Sequence, residues 1–414
     1  MRRLRGIYCA AAAGSLLASA GAMAANAEFQ DFFFDVCGAP SGALATRCAE
    51  TTAGLGNLSG DSESSLNPSQ NLSHNQSLVG SAVARSKEAR ERGEKLREGE
   101  VGDGSAAQVA AGPWSLLLNV RGSWFESDGN SATDRERDLE GDSHAAEIGV
   151  DYRASERVVL GALLGLERTD YEYAAENPGV NFTPASIAGD AESEDVYLTL
   201  FGSWTVGGHG FVELAGGYEQ AEGTFRRNSV FQESTRTLGQ VDVRTSGDSD
   251  TTVTWLGINA GFDVDRGALS FGPYVGLTST SAKLDAYTER DLSNSGLNMH
   301  FGSTTRDSLL AHAGVRTSYV FSTGVGVFVP QVRVEYQYEF EDDPQTVDAR
   351  FELDTAGTEY RLTGGSGDND AFNAGLSLST VLPNGWMPFV DFSMLFGHDT
   401  LERQRATLGL RVEF

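Results

Sequence analysis

From Trp114 onward, apolar and polar residues alternate with a period of two. In 332–340 one face carries Val332, Val334, Tyr336, Tyr338 and Phe340, and the other carries Arg333, Glu335, Gln337 and Glu339. Only an extended strand separates neighbours in this way. The final stretch behaves alike, with Ala406, Leu408, Leu410, Val412 and Phe414 on one side and Thr407, Gly409, Arg411 and Glu413 on the other. About twelve such stretches follow one another, near 114–125, 143–153, 158–173, 194–206, 211–225, 250–265, 269–288, 308–321, 325–341, 370–382, 386–398 and 404–414.

The connections alternate in length. Tight turns at 153–157, 207–210, 266–268, 322–324 and 383–385 exchange with long polar loops at 126–142, 174–193, 226–249, 289–307 and 342–369. Short turns on one rim and long loops on the other describe a transmembrane β-barrel. Many of the stretches exceed the ~5–6 residues of soluble strands and approach the ~9–11 of tilted spanning strands. A soluble barrel or sandwich, with the apolar faces packed on each other, is the alternative. Trp114, Trp124, Trp204 and Trp386 fall near strand ends, as an interfacial aromatic girdle requires. Trp255 shares its parity with Asn259 and Asp263, so either a bulge intervenes or the ring points inward.

Ahead of the strands, 81–98 reads as a helix charged on every side, with acid-first i, i+4 pairs Glu88 to Arg92 and Glu91 to Lys95. Gly93 weakens it by about 1 kcal/mol relative to Ala. Such a helix belongs in solvent or in a polar channel. Residues 28–80 hold an aromatic cluster, Phe29, Phe32, Phe33 and Phe34, then Cys37 and Cys48, then a Ser/Asn/Gly tract whose composition predicts a disordered or loosely folded segment. Residues 1–27 combine Arg2, Arg3 and Arg5, an apolar core and small residues ending at Ala27, the layout of a secretory signal peptide cleaved after Ala27, with Ala24 and Ala25 as alternative cut points. A membrane anchor is the competing reading of the same stretch. Export places Cys37 and Cys48 in an oxidising compartment, where a disulfide closing so small a loop contributes roughly 2–3 kcal/mol; a metal site would need more ligands than His74 supplies.

Charge narrows the classes further. The 31 Lys and Arg against 58 Asp and Glu give a net charge of −27, which argues against nucleic acid as a partner. The 49 Gly residues favour strands, bulges and loops over long helices. No run after the leader reaches the ~18 apolar residues of a spanning helix.

Three motifs invite a chemical reading. Gly60-Asp61-Ser62 resembles the nucleophile block of GDSL-type lipases, but Glu63 replaces the Leu and the segment holds no Asp-x-x-His to serve as base. His398-Asp399 sits on the last long-rim loop, where a rim protease would place its groups, yet one adjacent pair does not assemble a site; His300 and His312 stand under the same argument. The run 364–370 is similar to one calcium-binding nonapeptide, a site that needs stacked copies. We therefore expect no catalytic residues, no metal and no cofactor.

Residues 112–414, with their strand count and the closing TLGLRVEF, resemble the translocator domain of bacterial autotransporters, and the preceding charged helix strengthens that resemblance. It implies an all-β fold, an antiparallel transmembrane barrel of about twelve strands with a pore-spanning α-helix, in a Gram-negative outer membrane. The implied domains are a signal peptide at 1–27, a short passenger at 28–80, a pore helix and linker at 81–111 and the barrel at 112–414. Leu408, Leu410, Val412 and Phe414 would form the signal read by the barrel insertion machinery. Implied partners are outer-membrane lipid, that machinery, periplasmic chaperones and an unknown surface ligand. Some relatives cut themselves between two Asn of this helix; 81–98 contains no Asn, so passenger and barrel are expected to stay joined. A channel or structural barrel with a periplasmic or plugging N-terminal segment is the alternative function.

Overall fold

The computed structural model describes residues 18–59, 62–98, 113–128, 137–175, 183–234, 239–341, 343–364, 369–383 and 385–413. Twelve long strands build the barrel: β1 (Trp114–Ser127), β2 (Leu139–Ser155), β3 (Val158–Tyr173), β4 (Gly189–Val206), β5 (Gly210–Gln232), β6 (Gln240–Phe262), β7 (Leu269–Leu284), β8 (Thr304–Tyr319), β9 (Val327–Glu339), β10 (Asp370–Val381), β11 (Trp386–Phe396) and β12 (Leu401–Glu413). Each pairs antiparallel with the next, and β12 returns to β1 with Leu408 opposite Val120. Closure matters because an open edge would leave backbone donors and acceptors unmet in hydrocarbon.

The two faces of the ladder are inverted relative to a water-soluble sheet. Val332, Val334 and Tyr336 point outward and are exposed, whereas Arg333 and Glu335 are buried inside. The same holds on β3, where Leu160, Leu164 and Leu166 face out and Glu167 and Thr169 face in. Each such Leu or Val would lose about 1.5–3 kcal/mol of favourable transfer if it met water instead of lipid. A continuous outward band of them is stable only against hydrocarbon. Trp114, Trp124, Trp204 and Trp386 face outward near the strand ends. Trp255 points inward and is 6% exposed. No bulge is needed, since the β5–β6 and β6–β7 registers run unbroken through it, opposite Gly217 and Thr280. Its indole occupies the space over Gly217, where a Cβ would sit 2.1 Å from Nε1.

On the long-loop rim the chain is more ordered than its polarity predicts. β5 and β6 continue to Gln232 and Gln240, and Tyr287–Thr288, Met299–Phe301, Thr346–Phe351 and Tyr360–Thr363 pair into a second sheet of four strands. Three helices lie on this rim: α1 (Ala18–Val36), which packs on the second sheet, α2 (Gly42–Ala49), and α3 (Ser62–Leu66), which packs against β5 and α1. The reading of 28–80 as loosely folded is thereby corrected for its described residues. Phe29, Phe32, Phe33 and Val36 lie at i, i+3, i+4 and i+7 of α1, and all four are buried while Phe34 is exposed. Phe32 stacks on Phe351 and on Tyr360, with ring centroids 5.6 and 5.1 Å apart. A disulfide between Cys37 and Cys48 ties the end of α1 to α2.

The fourth helix, α4 (Ser73–Glu98), starts earlier than the expected 81 because Leu78, Val79 and Ala82 find apolar neighbours inside the barrel mouth. The extended helix includes Asn75, which the shorter span lacked, followed by Gln76 and not by a second Asn. It threads the lumen toward the short-turn rim, where Arg153 donates to the Leu96 carbonyl. Among the described residues no helix is long and apolar enough to cross a membrane by itself.

Candidate functional site: the helix-filled pore

A helix charged all round is stable inside a barrel only if each charge meets a partner there. The lumen supplies them from the polar face of nearly every strand. Arg85, 2% exposed, pairs with Glu167 at 2.6 Å and with Glu219, and its guanidinium lies 3.9 Å from the Tyr197 ring centroid. Arg90 donates to Glu335 at 2.6 Å and lies over Tyr274. Arg92 grips both oxygens of Asp151. The acids of the helix are answered equally: Glu88 by Arg121, Glu91 by Arg333 at 2.7 Å, and Glu94 by Arg316 at 2.8 Å. The expected pairing of Glu88 with Arg92 along the helix is therefore replaced by contacts to the wall; the Lys95 side chain lies outside the described residues. Lys87 and Glu91 make an i, i+4 contact at 3.8 Å.

Close approach explains Gly93. A Cβ there would sit 2.6 Å from Glu213 Oε1 and 3.3 Å from Ser203 Cβ, so the helix could not lie as near the wall. The helix propensity lost at Gly93 is exchanged for contact between α4 and the β4–β5 wall.

The other singled-out residues scatter. Ser62 is buried, and its Oγ accepts the Gln232 amide at 2.8 Å, a structural tie of α3 to β5; Gly60 and Asp61 lie outside the described residues. His398 Nδ1 accepts the Thr400 and Leu401 amides and so closes its loop. His300 bonds Thr288 within the second sheet, and His312 lies in the lumen beside Arg90. The structure does not bring these histidines together as one site. Residues 365–368 of the glycine-rich run lie outside the described residues, and among the described residues no cluster of three His, Cys, Asp or Glu could hold a metal. Ala27 is an exposed residue of α1. Leu408 faces outward at 61% exposure, Leu410 and Val412 are half-buried on β12, and Phe414 and residues 1–17 lie outside the described residues.

The sequence reading missed the wall residues that hold the helix, above all Glu167, Glu219, Arg121, Arg333 and Glu335. Their signal was present: charged residues at every second position of strands whose other face is apolar.

A family model described as the autotransporter beta-domain matches residues 116–393. The translocator domain of the autotransporter NalP from Neisseria meningitidis is similar at a TM-score of 0.55 and 16% identity, over 81% of this chain and 98% of that one. The beta domain of the Bordetella autotransporter BrkA is similar at 0.50 and 13%, over 73% and 100%. No curated protein matches the sequence.

Proposed function

Because the chain belongs to the autotransporter β-domain family, we propose that its barrel, an outer-membrane translocator, carries residues 28–72 to the cell surface and keeps them there as a folded cap. One observation carries this reading: the cap lies on the long-loop rim and is joined to the barrel through a helix whose charges are neutralised inside the pore. Long loops of such barrels face outward from the cell. The cap is fastened as well as packed. Ser65 Oγ accepts the Val230 amide, Ser234 donates to the Glu50 carbonyl, and Ser41 bonds the Leu353 carbonyl from both its amide and its hydroxyl. An anchored cap is suited to contact a surface ligand while remaining attached, and the role we assign is display, without catalysis.

The proposal includes the steps before insertion. A signal peptide cleaved after Ala27 directs export, periplasmic chaperones hold the unpaired strands, and the insertion machinery reads Leu408, Leu410, Val412 and Phe414. The outward apolar side of β12 supports the last step, since Leu408 lies between Val120 and Val390 on the lipid-facing surface. A second reading is favoured by the occupied lumen itself: a closed channel plugged by α4.

A small epitope inserted after Leu55, an exposed residue of the cap, separates the two. Antibody labelling of intact cells is the expected result. Labelling only after permeabilisation overturns surface display and leaves the plugged barrel.

A further inference from the structure

The pore helix runs along one side of the lumen, beside β4, β5, β6, β7 and β8. On its other side, between its first turns and β8–β12, a cavity of about 160 Å³ remains near the long-loop rim. This space is far from uniform. Val79, Val83, Leu395 and Leu401 give it an apolar wall, while Lys87, Arg403 and Arg405 form a cationic one. At its outer end Arg306 stands against Asp307, Glu339, Glu341 and Asp370, and Glu339 already accepts from Ser308 Oγ and from the Leu309 and Glu341 amides. The inner end is thus positive in a chain of net charge −27.

The two arginines there are poorly matched. Arg405 reaches Glu88 Oε1 only at 3.6 Å, and Arg121 already holds the other oxygen of Glu88. Arg403 lies over the Phe125 ring, 5.4 Å from its centroid, and among the described residues no carboxylate is within ion-pair distance of it. The Nε of each is buried without a hydrogen bond, as is that of Arg333, so the difference lies in the carboxylates. Every other wall arginine facing the middle of α4 has a close carboxylate: Arg121, Arg316 and Arg333 each sit within 2.8 Å of one. Buried guanidinium donors left unmet are unfavourable, and the planar fork of Arg fits a carboxylate with two parallel bonds.

We propose that this cavity binds a small organic anion, its carboxylate held by Arg403 and Arg405 and its apolar body against Val79, Val83 and Leu395. The volume is below the ~300 Å³ at which drug-sized pockets begin, so the ligand is a compact one. Asn369 and His398 line the outer end of the cavity, on the rim where the long loops lie.

Titration calorimetry on the purified full chain in detergent tests this with sodium benzoate, benzyl alcohol and sodium phosphate as probes. Benzoate binds saturably, and the two others, which lack the charge or the apolar body, bind at least about tenfold more weakly. Arg403→Gln lowers benzoate affinity by about tenfold or more, because a charge-assisted contact is lost. Leu395→Trp, which fills the cavity without touching its charges, abolishes binding and keeps the test open if the arginine variant does not fold. Absence of saturable benzoate binding, equal affinity for either control, or binding that survives Leu395→Trp overturns the proposal. None of these outcomes depends on which side of the membrane the cap occupies.

Discussion

Arg92 of the pore helix holds Asp151 of β2 with two parallel bonds, Nε to Oδ1 at 2.7 Å and Nη2 to Oδ2 at 2.6 Å. Ser115 donates a third bond to Oδ2 at 2.8 Å, so the buried carboxylate is well satisfied. A single turn of sliding by α4 would break it. Such a contact fixes the helix in rotation as well as in depth, since a bidentate pair tolerates little misalignment.

Arg92→Ala leaves Asp151 charged and buried, a loss of about 3–5 kcal/mol for a broken buried pair. We predict a lower unfolding temperature in detergent and a rise in single-channel conductance in planar bilayers. Exchanging the two residues, Arg92→Asp with Asp151→Arg, should recover much of both. Equal conductance in the wild type and Arg92→Ala would show that the pair does not hold the helix.

The cap is predicted to loosen without the barrel. Phe33 is fully buried against Phe351, so Phe33→Ala costs about 3–5 kcal/mol of local stability. Reduction of Cys37–Cys48 costs roughly 2–3 kcal/mol by freeing the small loop. Hydrogen exchange should increase in α1 and α2 in both cases while β1–β12 stay protected. Exchange rising equally through the barrel strands would mean that cap and barrel unfold as one unit.

These residues also mark what could be read from the chain in advance. Strand alternation is local, so the outward Val332 and inward Arg333 follow from their own neighbourhood, whereas the parity of Trp255 with Asn259 leaves a bulge and an inward ring equally open and only the unbroken register decides for the ring. The pairs that hold the helix are not local. Arg90 meets Glu335 across 245 positions, and no spacing within 81–98 reveals which wall charge each helix charge will face. The Phe29, Phe32, Phe33 stripe was short, flanked by a leader and a Ser-rich tract, and its partners Phe351 and Tyr360 lie in loops that read only as polar. The start of α4 at Ser73 was equally hidden, because the apolar residues that extend it are stabilised by the barrel mouth and not by the helix itself.

Lipid contact can be tested at Leu408. Leu408→Arg places a cation on the outward face between Val120 and Val390, at a cost of about 2–4 kcal/mol if it lies near the bilayer midplane. The fraction of heat-modifiable, folded barrel in outer membranes should fall sharply. Thr407→Arg points inward and gives the control for lumen crowding. Unchanged folding of Leu408→Arg would place that face away from hydrocarbon.

At Asp291, in the long-rim loop, burial alone would raise the carboxyl pKa, but hydrogen bonds from the Gly296, Ser295 and Ser293 segment outweigh it and lower the pKa below the ordinary value. The folded pKa is therefore below the unfolded value of about 3.9. Its contribution to loop stability is complete above that pH and is lost as pH falls through the folded value. NMR of the 291–297 segment should show the loop intact at pH 5 and loosening below about pH 3.9, with Asp291→Asn loosened throughout. A loop indifferent to both would remove the carboxylate from its support.

α4 resides in the pore of the folded, membrane-inserted protein. Ser86 Oγ lies 3.0 Å from Thr278 Oγ1 of the adjacent wall, so the measurement is disulfide formation in Ser86→Cys, Thr278→Cys protein within isolated outer membranes, read as a mobility shift that reducing agent reverses. Near-complete cross-linking of full-length chains in the heat-modifiable barrel is the expected result. Free thiols at both positions, open to a small labelling reagent while the barrel is folded, would contradict it.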